Sequence, residues 1–296
     1  MSPSAPAAPA RDAVGREIRT FMWGDSWLEY ITHGAETLRP LVLLPSAEYP
    51  GWPTQEFCGL AEQAGFRTVC LRRPGFGKVP ALPDPDRQTA FIAAFLADRD
   101  LADCVLVCSG TSNVFGYRLV QHPNVGLTVL ANCCFNFYPL TEIRPEWLAR
   151  QIEQTLSSVT GARMALMGLK GAHGIFGKSW VVENFMQKSA GDLAYLRDNR
   201  GLFMEAVDCL LEGLDIHTFM MELCSTLKED ALLQDGCFGD AKVISVTGSE
   251  TSEAWQSAIR AETRRVGVPL HILPSGDALV VHRSAREFLD LLGRCA

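Results

Sequence analysis

The residues with chemistry to offer gather between Cys108 and Asn113, where CSGTSN sets a thiol and three hydroxyls in consecutive reach. A hydroxyl or thiol becomes a nucleophile only when a base or a lowered pKa activates it. These residue types also have plainer uses: serines cap helices, and a tight strand-to-helix turn needs small side chains because backbone passes close by. The flanks supply such a turn. Val105-Leu106-Val107 is an apolar, β-branched run suited to a buried parallel strand, and Phe115, Leu119 and Val120 carry a helix away from it. The turn geometry is specified, but no obvious nucleophile stands on it.

Elements that would position this turn alternate along the chain. Thr20–Trp23 and Trp27–Thr32 around Gly24-Asp25 read as a hairpin, followed by a strand at Leu41–Leu44 and a helix over Pro53–Ala64. A strand at Arg67–Leu71 leads into the Pro74–Gly77 loop, a helix spans Arg87–Ala97, and Leu127–Asn132 is a buried strand. From Pro139 to Gly239 helical patterns dominate, with Met164–His173 glycine-rich and read as an entrance loop. Strands and helices then return: Val243–Thr247, Ser252–Val266, Leu270–Leu273 with His271 on an inner strand, and Ala285–Leu292. Alternating β and α segments interrupted by a helical block predict a mostly parallel sheet bearing a cap. The expected division is a disordered tail over 1–14, an α/β core over 15–138 and 240–296, and a helical cap over 139–239.

Composition narrows the function classes. Hydrophobic residues make up 47% of the 296, enough for a real core, and no run of about 18 apolar residues predicts a membrane span. A net charge of -7 without a Lys/Arg cluster argues against nucleic acid. The ten cysteines lack zinc-like pairing and read as reduced, buried thiols of a cytoplasmic protein. No metal site and no cofactor are expected, and Gly75-Phe76-Gly77 lacks the third glycine of a phosphate-binding loop.

The order of motifs resembles the α/β-hydrolase fold superfamily from about Glu17 to the C-terminus. LVLLP followed by SAEYPGW stands where the family has a strand and oxyanion loop, and RTVCLRRPGFGKV resembles its strand and GxG loop. The block from Asp103 to Pro123 resembles the nucleophile elbow and its helix, and LHILPSGDALVVHRSAREFLDLL the last strand, histidine loop and final helix. The resemblance implies a Ser, Cys or Asp at the elbow apex between small neighbours. Counting from the Val105 strand puts Gly110 at the apex, counting back from His122-Pro123 puts Ser109 there, and a third register uses Ser112. The acid position of the family falls on Thr251, with Glu250 adjacent, and the histidine position falls on Ala278. The oxyanion loop has Pro45-Ser46 in place of the family's frequent His-Gly, leaving the N–H of Ser46 or Ala47 as donors.

Three slots therefore lack the usual side chains, and the expected protein is one with a degenerate triad. It would bind a small apolar molecule or a protein partner without catalysis, with neither nucleic acid nor membrane as partner. Pocket-lining residues are expected from Cys108, Gly110, Thr111, Ser46, Ala47, Glu48, Tyr49, Glu250, Asp277 and Ala278, with Glu48, Tyr49 and Asp277 at the rim. The cap would add Trp147, Met164, Met167, Phe176, Trp180, Phe185, Met186, Phe203, Met204, Phe219, Met220 and Met221. The alternative is an esterase-like or lyase-like enzyme using Ser109 or Ser112 with a displaced histidine such as His282, and a weaker variant uses Cys108. As a bystander, His282 would face water at the start of the last helix.

Overall fold

The computed structural model describes residues 10–82, 84–133, 158–177, 180, 183, 189–213, 215–225 and 237–295. Strands β1 (Arg19–Trp23) and β2 (Ser26–His33) form the expected hairpin, with Gly24 at φ 57° in its turn. Next come β3 (Arg39–Leu44), α1 (Gln55–Gln63), β4 (Phe66–Arg72), α2 (Pro85–Asp98), β5 (Cys104–Ser109), α3 (Asn113–Leu119) and β6 (Val125–Ala131). After the helical block, β7 (Val243–Gly248), α8 (Glu253–Val266), β8 (Leu270–Leu273), α9 (Val280–Arg283) and α10 (Ala285–Cys295) complete the core. The described helices between β6 and β7 are α4 (Val159–Phe176), α5 (Ala190–Asp198), α6 (Arg200–Gly213) and α7 (Ile216–Ser225).

The strands form one sheet in the order β1-β2-β4-β3-β5-β6-β7-β8. β2 pairs antiparallel with β1 and β4, and every pairing from β4 onward to β8 is parallel. Parallel strands need crossover helices, which cover both faces and make the strand interiors apolar. Two cores follow. On one face Leu106, Cys108 and Leu130 pack with Phe91, Phe95 and Phe115; on the other Val105, Val107 and Val129 pack with Phe57, Phe288 and Leu292. Helix starts are specified locally, since Thr54, Asp84, Ser189 and Ser252 each accept a backbone N–H of the first turn.

Several expectations need correction. Met164–His173 lies inside the continuous helix α4, because its Ala, Leu, Met and Lys favour helix enough to carry the glycines. β8, with His271, pairs only with β7 and ends the sheet order, so it is an edge strand. Part of the expected tail is also packed: Asp12 is buried and bonded to Arg16, and the Ala13 N–H donates to Glu205 at 2.9 Å. Trp147, Phe185 and Met186, and the side chains of Phe176 and His173, lie outside the described residues. No helix among the described residues is long and apolar enough to cross a membrane.

Candidate active site

The turn after β5 is tighter than a simple strand-to-helix join. Ser109 ends the strand, Gly110 takes φ 52°, and a 3-10 turn over Gly110–Ser112 precedes α3. Left-handed backbone is strained for any residue with a Cβ, which accounts for glycine here. The space above it is occupied as well. A Cβ added at Gly110 would lie 2.9 Å from Ser46 Cβ and 3.3 Å from Glu48 Oε2. The Glu48 carboxylate is half-buried and unpaired among the described residues.

Two hydroxyls of the turn, those of Ser112 and Thr111, are engaged with the fold. Ser112 is fully buried; its Oγ accepts the Ser109 N–H at 2.7 Å and lies 2.7 Å from the Leu44 carbonyl and 2.9 Å from the Ser109 carbonyl, one of which takes its proton. Thr111 Oγ1 accepts the Ala47 N–H at 3.0 Å and a hydrogen from Arg73 Nη2 at 3.3 Å. The Ala47 donor expected to face an oxyanion is thus bonded to the elbow itself. Asn113 ties the turn to the sheet through the Gly110 and Ala131 carbonyls, at 2.8 and 2.9 Å. Ser109 is half-buried at the strand end. Cys108 is buried beneath the turn, and burial drives its thiol pKa far upward.

Sequence reasoning missed the charged groups beside this turn. Arg73 follows β4 and is almost wholly buried; it forms a bidentate pair with Glu222 of α7, at 2.6 and 3.0 Å, and donates from Nε to the Pro45 carbonyl at 3.1 Å. Its guanidinium also stacks 5.2 Å from Phe76 and 5.4 Å from Phe115. One side chain therefore joins the oxyanion-loop position, the elbow and the cap. The available signal was an Arg pair closing an apolar strand, Cys70-Leu71-Arg72-Arg73, where an exposed charge would ordinarily mark the strand end.

The histidine loop is built around a carboxylate from the cap. Asp192 of α5 is fully buried and accepts the N–H groups of Asp277 and Leu279, at 3.2 and 3.1 Å. Burial raises its pKa, offset in part by those two donors. Glu250 accepts Ser189 Oγ–H at 2.5 Å, the Gly276 N–H at 3.1 Å and Arg283 Nη2 at 3.1 Å, and the Ser189 bond leads in holding its pKa down. Asn132, at φ 52° after β6, donates to the Asp277 carbonyl at 2.6 Å and accepts from Thr247 at 2.8 Å. Thr251 is buried, 3.3 Å from the Thr247 hydroxyl. The Ser189-x-x-Asp192 spacing is a capping-box signature and was the legible hint of α5.

Ala47 and Ala278 meet in one apolar cluster with Tyr49, Phe76, Phe203, Phe219 and Leu279, so the two loops converge under the cap. Tyr49 and Asp277, expected at the rim, are both buried. Met164 and Met167 point away from this cluster and are exposed, and Trp180 is exposed as well, so these three do not line it. His282 does not face water on the last helix. It lies on the separate short helix α9 with ring centroids 5.1 Å from Phe57, 6.3 Å from Tyr195 and 6.4 Å from Tyr49. Its Nδ1 is buried without a hydrogen-bond partner among the described residues, and burial pushes its pKa down to about 4. Among the described residues no group of three or more His, Cys, Asp or Glu side chains could hold a metal ion.

No family model matches the sequence, and no curated protein matches it. Solved structures do match its fold. The Cif epoxide hydrolase from Acinetobacter nosocomialis aligns with a TM-score of 0.69 at 13% identity, over 94% of this chain and 88% of its own. A bromoperoxidase from Bacillus anthracis gives 0.63 at 18%, over 94% and 99%, and an enol-lactonase from Burkholderia xenovorans 0.60 at 13%, over 94% and 99%. With an antiparallel hairpin leading into parallel strands, a sharp turn after β5 and helices inserted between β6 and β7, the chain has the α/β-hydrolase fold.

Proposed function

We propose that the protein is a non-catalytic member of this fold that binds a small, largely apolar molecule, or a protein partner, in a sensing or regulatory role. The observation that carries the reading is the elbow: glycine stands at the left-handed position, and Ser46 and Glu48 fill the space a nucleophile's side chain would need. Supporting it, Ser112 and the Ala47 N–H are bonded internally, the sequence resemblance assigns Thr251 and Ala278 to the acid and histidine positions, and burial raises the pKa of the Cys108 thiol. Without a base a serine hydroxyl stays a poor nucleophile at neutral pH, and with the Ala47 N–H given to Thr111 an oxyanion loses one of its two expected donors. The ligand's contacts come from the apolar cluster beneath the cap, with Glu48 as its polar neighbour. The buried free thiols, Cys70 and Cys108 among them, suit the cytoplasm.

A fluorophosphonate probe and a panel of activated esters test this. The expected outcome is neither labelling nor turnover above buffer. Labelling that maps to Ser109, or turnover lost in Ser109→Ala, refutes it and establishes the hydrolase alternative. In that case His282→Ala decides the base, because its imidazole is neutral at pH 7 and its Nδ1 is unbonded. A loss of several orders of magnitude assigns it, and unchanged turnover excludes it.

A further inference from the structure

Helix α4 is apolar on two faces. Ala162 and Leu166 are buried, Leu166 within the cap cluster. Elsewhere around the helix, Val159, Met164, Met167 and Ile175 are 58%, 59%, 68% and 77% exposed. Met164, Met167, Gly171 and Ile175 recur at three- and four-residue steps, which at 3.6 residues per turn makes a single stripe. Added Cβ atoms at Gly168, Gly171 and Gly174 would meet nothing within 4 Å, so open space lies over these turns. Trp180, just past the helix, is 42% exposed. Of the eight large apolar side chains exposed among the described residues, five fall between 159 and 180. Contiguous apolar surface of this kind marks a contact face rather than scattered surface hydrophobics.

Charge decides what the face contacts. From Gln154 to Val182 the sequence holds Arg163, Lys170 and Lys178 and no Asp or Glu, although the whole chain carries -7. Arg163 and Lys170 are exposed and stand on one edge of the stripe. A second copy of the chain meeting this face through a two-fold contact would bring no carboxylate from this segment to meet those cations. An anionic surface that accepts apolar side chains satisfies both features. We propose that α4 docks the cap onto an anionic phospholipid bilayer. The methionines and Ile175 enter the acyl boundary while Arg163 and Lys170 reach the headgroups, with Trp180 at the interface. A peripheral contact requires no spanning segment, so the absence of a long apolar run does not bear on it.

The test is vesicle flotation of the untagged full-length protein with phosphatidylcholine alone and with phosphatidylcholine mixed with phosphatidylglycerol. The protein is expected to float with the mixed vesicles, weakly or not at all with phosphatidylcholine, and less as salt screens the headgroups. Arg163→Gln with Lys170→Gln should lower partitioning roughly 25-fold, taking the usual contribution of each basic residue at such a surface. Replacing Met164, Met167 and Ile175 by Ser should lower it by roughly tenfold or more. Because these side chains are exposed, the melting temperature should stay unchanged and certify the fold. Failure to float with the mixed vesicles, or equal flotation of both variants, overturns the proposal. So does a wild-type dimer in gel filtration that the serine variant dissolves, since a second copy then covers the face.

Discussion

Placing a side chain at Gly110 probes the elbow directly. Gly110→Ser and Gly110→Ala both put a Cβ at φ 52°, 2.9 Å from Ser46 Cβ and 3.3 Å from Glu48 Oε2. The left-handed conformation costs about 1–2 kcal/mol for a residue with a Cβ. Carbon against carbon at 2.9 Å is overpacking, which adds about 1–3 kcal/mol as the loop carrying Ser46 gives way. That loop is held: Arg73 binds the Pro45 carbonyl and Thr111 binds the Ala47 N–H, so relief by movement breaks a hydrogen bond. The sum, about 2–5 kcal/mol, corresponds to a fall in melting temperature of about 3–8 °C for a chain of this length. Differential scanning fluorimetry should show similar falls for Ala and Ser, because the Cβ they share causes them. On the proposed reading the serine variant should remain unlabelled by a fluorophosphonate, since its hydroxyl would face the Glu48 carboxylate. A melting temperature within about 1 °C of wild type would refute the filled-space reasoning. Labelling of the serine variant would show that a working base already stands in the site.

The buried Arg73–Glu222 pair should be costly to break and cheaper to replace. Glu222→Ala leaves a guanidinium buried without its carboxylate and is expected to cost about 3–5 kcal/mol, while Arg73→Met with Glu222→Leu recovers more than half; a cost near zero in thermal unfolding refutes the pairing. His282 should make the protein acid-sensitive. Its folded pKa lies below its unfolded value, so the neutral ring contributes stability that is whole above pH 6.5 and is lost as pH falls toward about 4. The slope it adds is at most about 1.4 kcal/mol per pH unit, and His282→Gln should flatten the melting-temperature profile in that window; an unchanged slope would show that the ring protonates freely.

How much of this was legible depends on sequence distance. The strand–helix alternation lies in local periodicity, and each predicted strand fell within a residue or two of its observed place. The elbow register stayed open because its two anchors disagreed by a residue. Counting back from His122-Pro123 assumes a helix reaching them, but α3 ends at Leu119 and His122 closes a turn on its carbonyl. The 3-10 turn over Gly110–Ser112 adds a further irregularity that composition does not encode. The charged contacts were invisible for another reason. Arg73 and Glu222 are 149 positions apart, and Asp192 meets Asp277 and Leu279 across 85 and 87. Nothing local in Glu222 distinguishes it from a solvent-facing carboxylate on an amphipathic helix, and the Ser189-x-x-Asp192 spacing marks a helix start without revealing what the Asp192 carboxylate holds. In α4, Gly168 and Gly171 suggested a loop, whereas the residues around them favour helix and both glycines border open space.

Polar groups at the carboxyl ends of the strands are where this fold would meet a reactant, and their present bonds limit what they can do. Catalysis requires donors and bases whose interactions strengthen as charge develops on the substrate. The Ala47 N–H serves Thr111, Ser112 serves the backbone of β3 and β5, Arg73 serves Glu222, and Asp192 serves the loop that bears Ala278. Each would have to surrender a bond before engaging a reactant, and a surrendered bond to a buried charge leaves an unsatisfied group worth about 1–3 kcal/mol or more. The same bonds clamp cap to core at the elbow and again at the histidine loop. Breaking them for each turnover would loosen both loops that define the site. A ligand that relies on apolar contact beneath the cap and on the unpaired Glu48 carboxylate asks none of these groups to let go. The proposed binding role rests on this bonding pattern whichever residue stands at the apex, and activated-ester turnover in the wild-type protein would overturn it.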